Sequence, residues 1–285
     1  MKVIRADEMG FCFGVRDALL AARNVANPAA TTLYGELVHN EAVQRELAER
    51  GFAAVPEDGR DGALATIDVL VTAHGVSDRE RRTLRERGHR LIDTTCPLVQ
   101  HAHREALRLA AKGQHVIVLG RRGHVEVKGL CGDLDSFSVV GAVADVVCWP
   151  YASLGVVCQT TMPPAEAAML LDAIKRNNPQ ATVEFADTIC EPTKRRQRAL
   201  RDLLDLVDAV VVIGGARSHN TKQLAETCRA AGKRVLLVRD ASELQPAFFA
   251  GCESVGLTAG TSTPDSTIDG VAAALAAMAT PEVAR

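Results

Sequence analysis

The chain has 285 residues, 47% of them hydrophobic and 4% aromatic, with a formal net charge of −2 at pH 7. That length supports one or two domains with a sizeable core, while near-neutral charge and few aromatics exclude the basic, stacking surface of a nucleic-acid binder. No apolar run reaches bilayer length and MKVIRADEMG has no signal-peptide core, so the expectation is a cytoplasmic protein with no membrane or nucleic-acid partner.

Short β-branched runs alternate with amphipathic segments from end to end, the pattern of parallel α/β construction. A run over 2–6 leads into GFCFGV, which carries Cys12, and a helix is expected near 17–25. TLYG (32–35) is followed by His39; residues 56–62, rich in Pro and Gly, read as a surface loop; VLVTAHGVS (69–77) carries His74. The arginine-rich stretch 79–87 reads as a solvated helix face. DTTCPL brings Cys96 ahead of a helix over 98–111, and VIVLG (116–120) precedes His124 and Glu126. VVCQTT (156–161) ends in Thr160 and Thr161, and DTICEP brings Cys190 ahead of a helix over 197–206. VVIGG (211–215) precedes Ser218, His219 and Asn220, VGLTAGTS (255–262) ends in Ser262, and the Ala-rich stretch 270–279 reads as a final packing helix.

Cys12, Cys96 and Cys190 are spaced by 84 residues (12 to 96) and 94 (96 to 190), and other landmarks repeat with them. In each third a β-type run ends in glycine, and His39, His124 or His219 follows 27, 28 or 29 residues after its cysteine. A long internal period of this kind implies a repeated structural unit. The expected units are 13–96, 97–190 and 191–285, the last completed by the N-terminal strand within 1–12. In parallel α/β sheets ligands lie beyond the carboxyl ends of the strands, and every landmark falls at such an end. The reading is three α/β units facing a shared centre on a pseudo-three-fold axis.

Eight cysteines in a reducing compartment are thiols or metal ligands rather than disulfides. Cys131, Cys148, Cys158, Cys228 and Cys252 have no partners in the repeat and are expected in the core. The three that repeat offer soft thiolates, which select zinc, copper(I) or an iron–sulfur cluster. The absence of any C-x-x-C pair excludes a zinc ribbon, leaving a cluster and a buried zinc as competitors. A cubane 4Fe-4S cluster normally takes four cysteines; with three, one iron is open to substrate as a Lewis acid.

Around this centre His39, His74, His124, Ser218, His219, Asn220, Thr161 and Ser262 lie on loops that open helices. Exposed backbone N–H groups, imidazoles and hydroxyls there suit a phosphate or diphosphate. Without a Walker-type loop a nucleoside triphosphate is excluded. Glu126, two residues after His124, is either a proton donor whose pKa is raised by a cluster and an anionic ligand, or a first-turn glutamate favoured by the helix dipole.

GFCFGV at 10–15, LVHN at 37–40, AHGVS at 73–77, TTCPLV at 94–99, GH-x-EV at 123–127, QTT at 159–161, DTIC at 187–190, RQ at 196–197, S-x-N at 218–220 and TAG-x-S-x-PD at 258–265 resemble, in order, the 4-hydroxy-3-methylbut-2-enyl diphosphate reductase family. The resemblance implies a trefoil around a 4Fe-4S cluster with one open iron, held by Cys12, Cys96 and Cys190. It implies a two-electron reductive dehydroxylation giving isopentenyl and dimethylallyl diphosphates in the methylerythritol phosphate pathway, with electrons from a ferredoxin or flavodoxin. The substrate diphosphate would lie on His39, His74, His124, Ser218, Asn220 and Ser262, with His219 beside them. Glu126 would be the proton donor and Thr160 would hold it or the substrate hydroxyl.

Departures from the family pattern are Val125, Glu191, Pro192, Arg217 and His219; the last adds bulk and possible charge at the phosphate end. They leave room for a paralogue acting on a related allylic diphosphate. A hydro-lyase on a similar three-unit plan, as in quinolinate synthase, would not require Glu126, QTT or S-x-N. A cluster-based redox sensor would need the cysteines but not the inward histidines and hydroxyls.

Overall fold

The computed structural model describes residues 1–60, 62–216 and 218–279. From the N-terminus, β1 (Lys2–Arg5) and α1 (Phe13–Arg23) precede β2 (Thr31–Tyr34), α2 (Glu41–Glu49), β3 (Ala53–Val55), β4 (Asp68–Val71), α3 (Asp78–Glu86) and β5 (Arg90–Asp93). Next come α4 (Pro97–Ala111), β6 (His115–Leu119), α5 (Val125–Cys131), β7 (Phe137–Val140), β8 (Ser153–Cys158), α6 (Pro164–Asn177) and β9 (Thr182–Phe185). The chain continues through α7 (Glu191–Leu204), β10 (Ala209–Ile213), α8 (His219–Ala230), β11 (Arg234–Val238), β12 (Ser254–Ala259) and α9 (Asp265–Ala279).

The strands form three four-stranded sheets, ordered β3-β2-β4-β5, β7-β6-β8-β9 and β1-β12-β10-β11, and every pairing is parallel. The three orders are one pattern, with β1 as the fourth strand of the last sheet, Val3 opposite Val255. The α/β class read from the sequence is therefore correct. Contacts group the chain into two compact units. One holds Met1–Arg16, His39–Arg45 and the chain from Lys194 onward, with the β1-β12-β10-β11 sheet; the other holds Asp17–Val38 and Glu46–Thr193, with the remaining two sheets.

Period-two alternation explains how each sheet is covered. Along β6, Ile117 and Leu119 pack with Leu170 and Ile174 of α6, whereas Val116 and Val118 pack with Ala102, Ala106 and Leu109 of α4. Successive side chains point to opposite faces, and burial on both faces is why the run is continuously apolar. Gly155 lets α4 approach β8: a Cβ there would sit 2.8 Å from Leu109 Cβ.

Several local expectations change. The helix expected near 17–25 begins at Phe13 and the one expected over 197–206 begins at Glu191, so both start directly after a cysteine. Glu191 and Pro192, an acid and a proline in the first turn, are the signal of this earlier start. Arg81 is buried within the supposedly solvated stretch 79–87. Cys148 is exposed and Cys252 half-buried, so only Cys131, Cys158 and Cys228 of the five unrepeated cysteines are core residues. His219 and Asn220 lie in the first turn of α8, not on the preceding loop. Arg217 lies outside the described residues. Among the described residues no helix is long and apolar enough to cross a membrane.

Candidate active site

In the larger unit two thiols sit at helix starts. Cys96 is the N-cap of α4, with Pro97 in the first turn, and its N–H donates to Ala73 O at 3.1 Å, tying the thiol loop to the neighbour of His74. Cys190 immediately precedes α7; its N–H donates to Thr160 O at 3.0 Å, and its Sγ lies 3.1 Å from Thr193 Oγ1. Both thiols are half-buried. Cys131 and Cys228 are buried, and burial pushes their thiols up to about 12 and about 11, which makes those two poor metal ligands at neutral pH.

Glu126 occupies the first turn of α5. His124 is the N-cap, and its Nδ1 accepts from Glu126 N at 3.2 Å. A ring that accepts at Nδ1 carries its proton, when neutral, on Nε2. The His124 ring packs edge-on against His74, centroids 5.7 Å apart. The Glu126 carboxyl is 2% exposed and accepts the Thr160 N–H at 2.6 Å. Burial raises its pKa to about 7, against the opposing effect of the Thr160 backbone and hydroxyl bonds. The direction is the one expected from sequence, and burial alone is enough to produce it. Thr160 is thus a two-sided bridge: its N–H holds the acid and its C=O holds the Cys190 loop.

Three residues do unforeseen positioning work. Arg81 donates to Val76 O at 2.6 Å, Thr95 Oγ1 at 3.1 Å and Asp93 Oδ2 at 2.9 Å, fastening the His74 loop to the Cys96 loop. Gln159 Oε1 accepts Arg121 N at 3.1 Å, joining the loop before His124 to the strand end that carries Thr160. In the smaller unit the buried Arg196 donates to Gly10 O at 2.7 Å, two residues before Cys12. The signal for Arg81 was available: it lies three residues before the buried Leu84, on the same helix face.

Also in the smaller unit, Cys12 is half-buried, and its C=O accepts the first bond of α1 from Arg16 N at 3.0 Å. Ser218 is the N-cap of α8, accepting from Thr221 N. Ser262 Oγ lies 3.5 Å from Ser218 Oγ and 3.3 Å from His39 O, and Asn220 Oδ1 accepts Thr261 N at 3.1 Å. Gly215 is required beside them, because a Cβ would lie 2.7 Å from His39 O. His39, Ser218, Asn220 and Ser262 therefore share one locality at the α8 N-terminus, with His219 on its first turn. Hydroxyls, an amide and a positive helix end are the donor set for an anion.

A profile of the LytB protein family matches residues 3–276. The chain belongs to the LytB family. Among LytB-type relatives, a 4-hydroxy-3-methylbut-2-enyl diphosphate reductase of Anaeromyxobacter sp. (strain Fw109-5) is 36% identical over 278 residues, covering 95% of this chain and 96% of its own. The enzyme of the same name from Tolumonas auensis is 35% identical, covering 95% and 90%. The solved structure of the E-1-hydroxy-2-methyl-but-2-enyl-4-diphosphate reductase from Plasmodium falciparum superimposes with a TM-score of 0.88 at 25% identity, covering 99% of this chain and 89% of its own. A second, of (E)-4-hydroxy-3-methyl-but-2-enyl diphosphate reductase, the terminal enzyme of the non-mevalonate pathway, gives 0.68 at 29% identity, covering 97% and 100%.

Proposed function

We propose that this chain is a 4-hydroxy-3-methylbut-2-enyl diphosphate reductase, an oxidoreductase that removes the allylic hydroxyl to give isopentenyl and dimethylallyl diphosphates. The observation that carries the reading is the link from Glu126 through Thr160 to Cys190: a buried acid that is substantially protonated at neutral pH, two hydrogen bonds from a thiol at a helix start. Three half-buried thiols, each directly before a helix, fit an anionic iron–sulfur centre, because the helix N-terminus favours negative charge there. A 4Fe-4S cluster on Cys12, Cys96 and Cys190 would supply electrons one at a time and Lewis acidity at the iron without a protein thiolate.

The chain's own residues supply the rest. His39, His74, His124, Ser218, His219, Asn220 and Ser262 hold the diphosphate and fix the allylic end. Glu126 gives its proton to the departing hydroxyl oxygen, and Thr160 keeps the carboxyl aimed and stabilises the carboxylate left behind. Electrons come from a ferredoxin or flavodoxin, in the cytoplasm. The units are 13–96, 97–190 and 191–285 with 1–12, each supplying one of the three cysteines.

The test is an anaerobic assay with 4-hydroxy-3-methylbut-2-enyl diphosphate and a strong one-electron donor, alongside metal analysis. The expected content is about four irons per chain; stoichiometric zinc without sulfide would end the reading. His219, between the anion-binding Ser218 and Asn220, favours testing related allylic diphosphates too. His219→Ser should change KM for the diphosphate more than kcat.

A further inference from the structure

The larger unit contains a cavity of about 290 Å³ along the groove between α4 and α5, with Glu126 and His74 in its wall. From Val99 to Leu107 it follows one face of α4, a distance of about 12 Å at 1.5 Å per residue. Its lining mixes charged and polar side chains with apolar ones, and a cavity of this size with several polar partners takes water molecules. His103 also lines it, with Nε2 2.8 Å from Asp133 Oδ2. The Asp133 carboxylate is fixed by the N–H groups of Asp78 at 2.6 Å and Arg79 at 2.9 Å. The imidazole lies close to that carboxylate without an aligned hydrogen bond, so it is oriented but not locked. Other charged groups around the cavity are Asp78, Arg81, Asp93 and Arg104. Asp78 is paired with Arg81 at 3.0 Å, so neither aspartate beside His103 has oxygens uncommitted enough to make the trio a good metal site.

A buried acid that gives up a proton in every turnover needs a route for reloading. We propose that His103, held against Asp133, is the proton-entry residue that recharges Glu126 through water in this cavity. The inference rests on the reductase reading. In that reaction each turnover takes two electrons from the external donor and two protons. The C–O bond breaks and its oxygen leaves as water with the proton from Glu126; the second proton bonds to an allylic carbon. The Glu126 carboxylate then regains its proton from the His103 imidazolium by way of the cavity water, and His103 regains its own from bulk solvent. Histidine suits the role because its charge changes near neutral pH.

The test uses holoenzyme carrying His103→Ala or His103→Gln, assayed anaerobically with saturating reduced dye in dilute, imidazole-free buffer. His103→Gln keeps most of the volume and a donor toward Asp133, so a folded variant is available. The expected result is a roughly tenfold or greater fall in kcat, with KM and cluster absorbance unchanged. The solvent deuterium isotope effect should rise, and added imidazole should restore the rate of His103→Ala. Wild-type turnover in both variants would overturn the proposal. So would a loss that imidazole does not restore and that comes with altered absorbance or KM, which would make His103 a brace for α3. If the wild-type enzyme does not reduce the substrate, the reductase reading itself fails, a result the variants cannot mimic.

Discussion

Replacing Glu126 by Gln separates the two consequences of burying an acid. The amide oxygen still accepts the Thr160 N–H, but the side chain can no longer give up a proton. Loss of a general acid costs about 10²- to 10⁴-fold in rate, so below pH 7 kcat should fall by that much while cluster absorbance is retained, and the gap to wild type should narrow at higher pH. The wild-type rate should itself decline above pH 7 as the acid ionises. The stability effect follows from the same burial. The carboxyl is raised from an ordinary 4.5 to about 7, so the folded chain binds the proton more tightly than the unfolded chain does. Its contribution is complete below about pH 4.5 and gone once pH has risen through about 7, and the difference is worth about 3 kcal/mol. Glu126→Gln has no such term. Relative to wild type, the variant should therefore gain stability by about that amount between pH 4.5 and pH 8, in denaturant titrations of the two proteins side by side. Parallel pH dependences would refute the burial argument, and unchanged turnover would remove Glu126 from the chemistry.

Thr160→Val keeps the backbone bond to Glu126 and deletes the hydroxyl one, which stabilises the carboxylate. The alkaline limb of the pH–rate profile should move up by somewhat under about one pH unit, since a hydrogen bond is worth about 1 kcal/mol; a shift downward would contradict the assignment. Cys190→Ser should lower bound iron and sulfide in anaerobic preparations, whereas Cys131→Ala, at a buried position with a raised thiol pKa, should retain both. Arg81→Met should destabilise by about 3 kcal/mol in denaturant titration, because it leaves Asp93 and two loop acceptors without their cation. Its cluster should also lose iron faster to a chelator.

The strands were legible because a parallel sheet covered on both faces demands continuous β-branched runs, and stretches such as VIVL and VVVI can be little else. The thiols were legible because the repeat marks them, and Glu126 because it breaks the repeat. Helix starts were less so: Phe13 and Glu191 follow their cysteines with no Ser, Thr, Asp or Asn cap to announce them. Least visible were the side chains that bridge distant loops. Arg81 reaches Thr95 across 14 residues and Arg196 reaches Gly10 across 186; helix-face spacing marks Arg81 as a candidate for burial but does not say which loops it joins.

The repeat also explains why the acid sits where it does. In each sheet the end of the third strand offers a carbonyl to the loop that carries the thiol: Ala73 O to Cys96 N, Thr160 O to Cys190 N and Ala259 O to Gly10 N. For Cys96 and Cys190 the bond ends on the cysteine's own N–H, whereas in the third sheet it ends on Gly10, two residues before Cys12. At one of these three strand ends a carboxylate is added, and the same peptide that holds Cys190 turns its N–H to Glu126. A mutation that shifts the Thr160 peptide must disturb acid and thiol together, whereas one at the Ala73 or Ala259 strand end reaches a thiol loop alone. Gln159→Ala, which frees the strand end from Arg121 N, should thus lower kcat and alter cluster absorbance in the same variant. Independent behaviour of the two would show that the peptide is not a shared support.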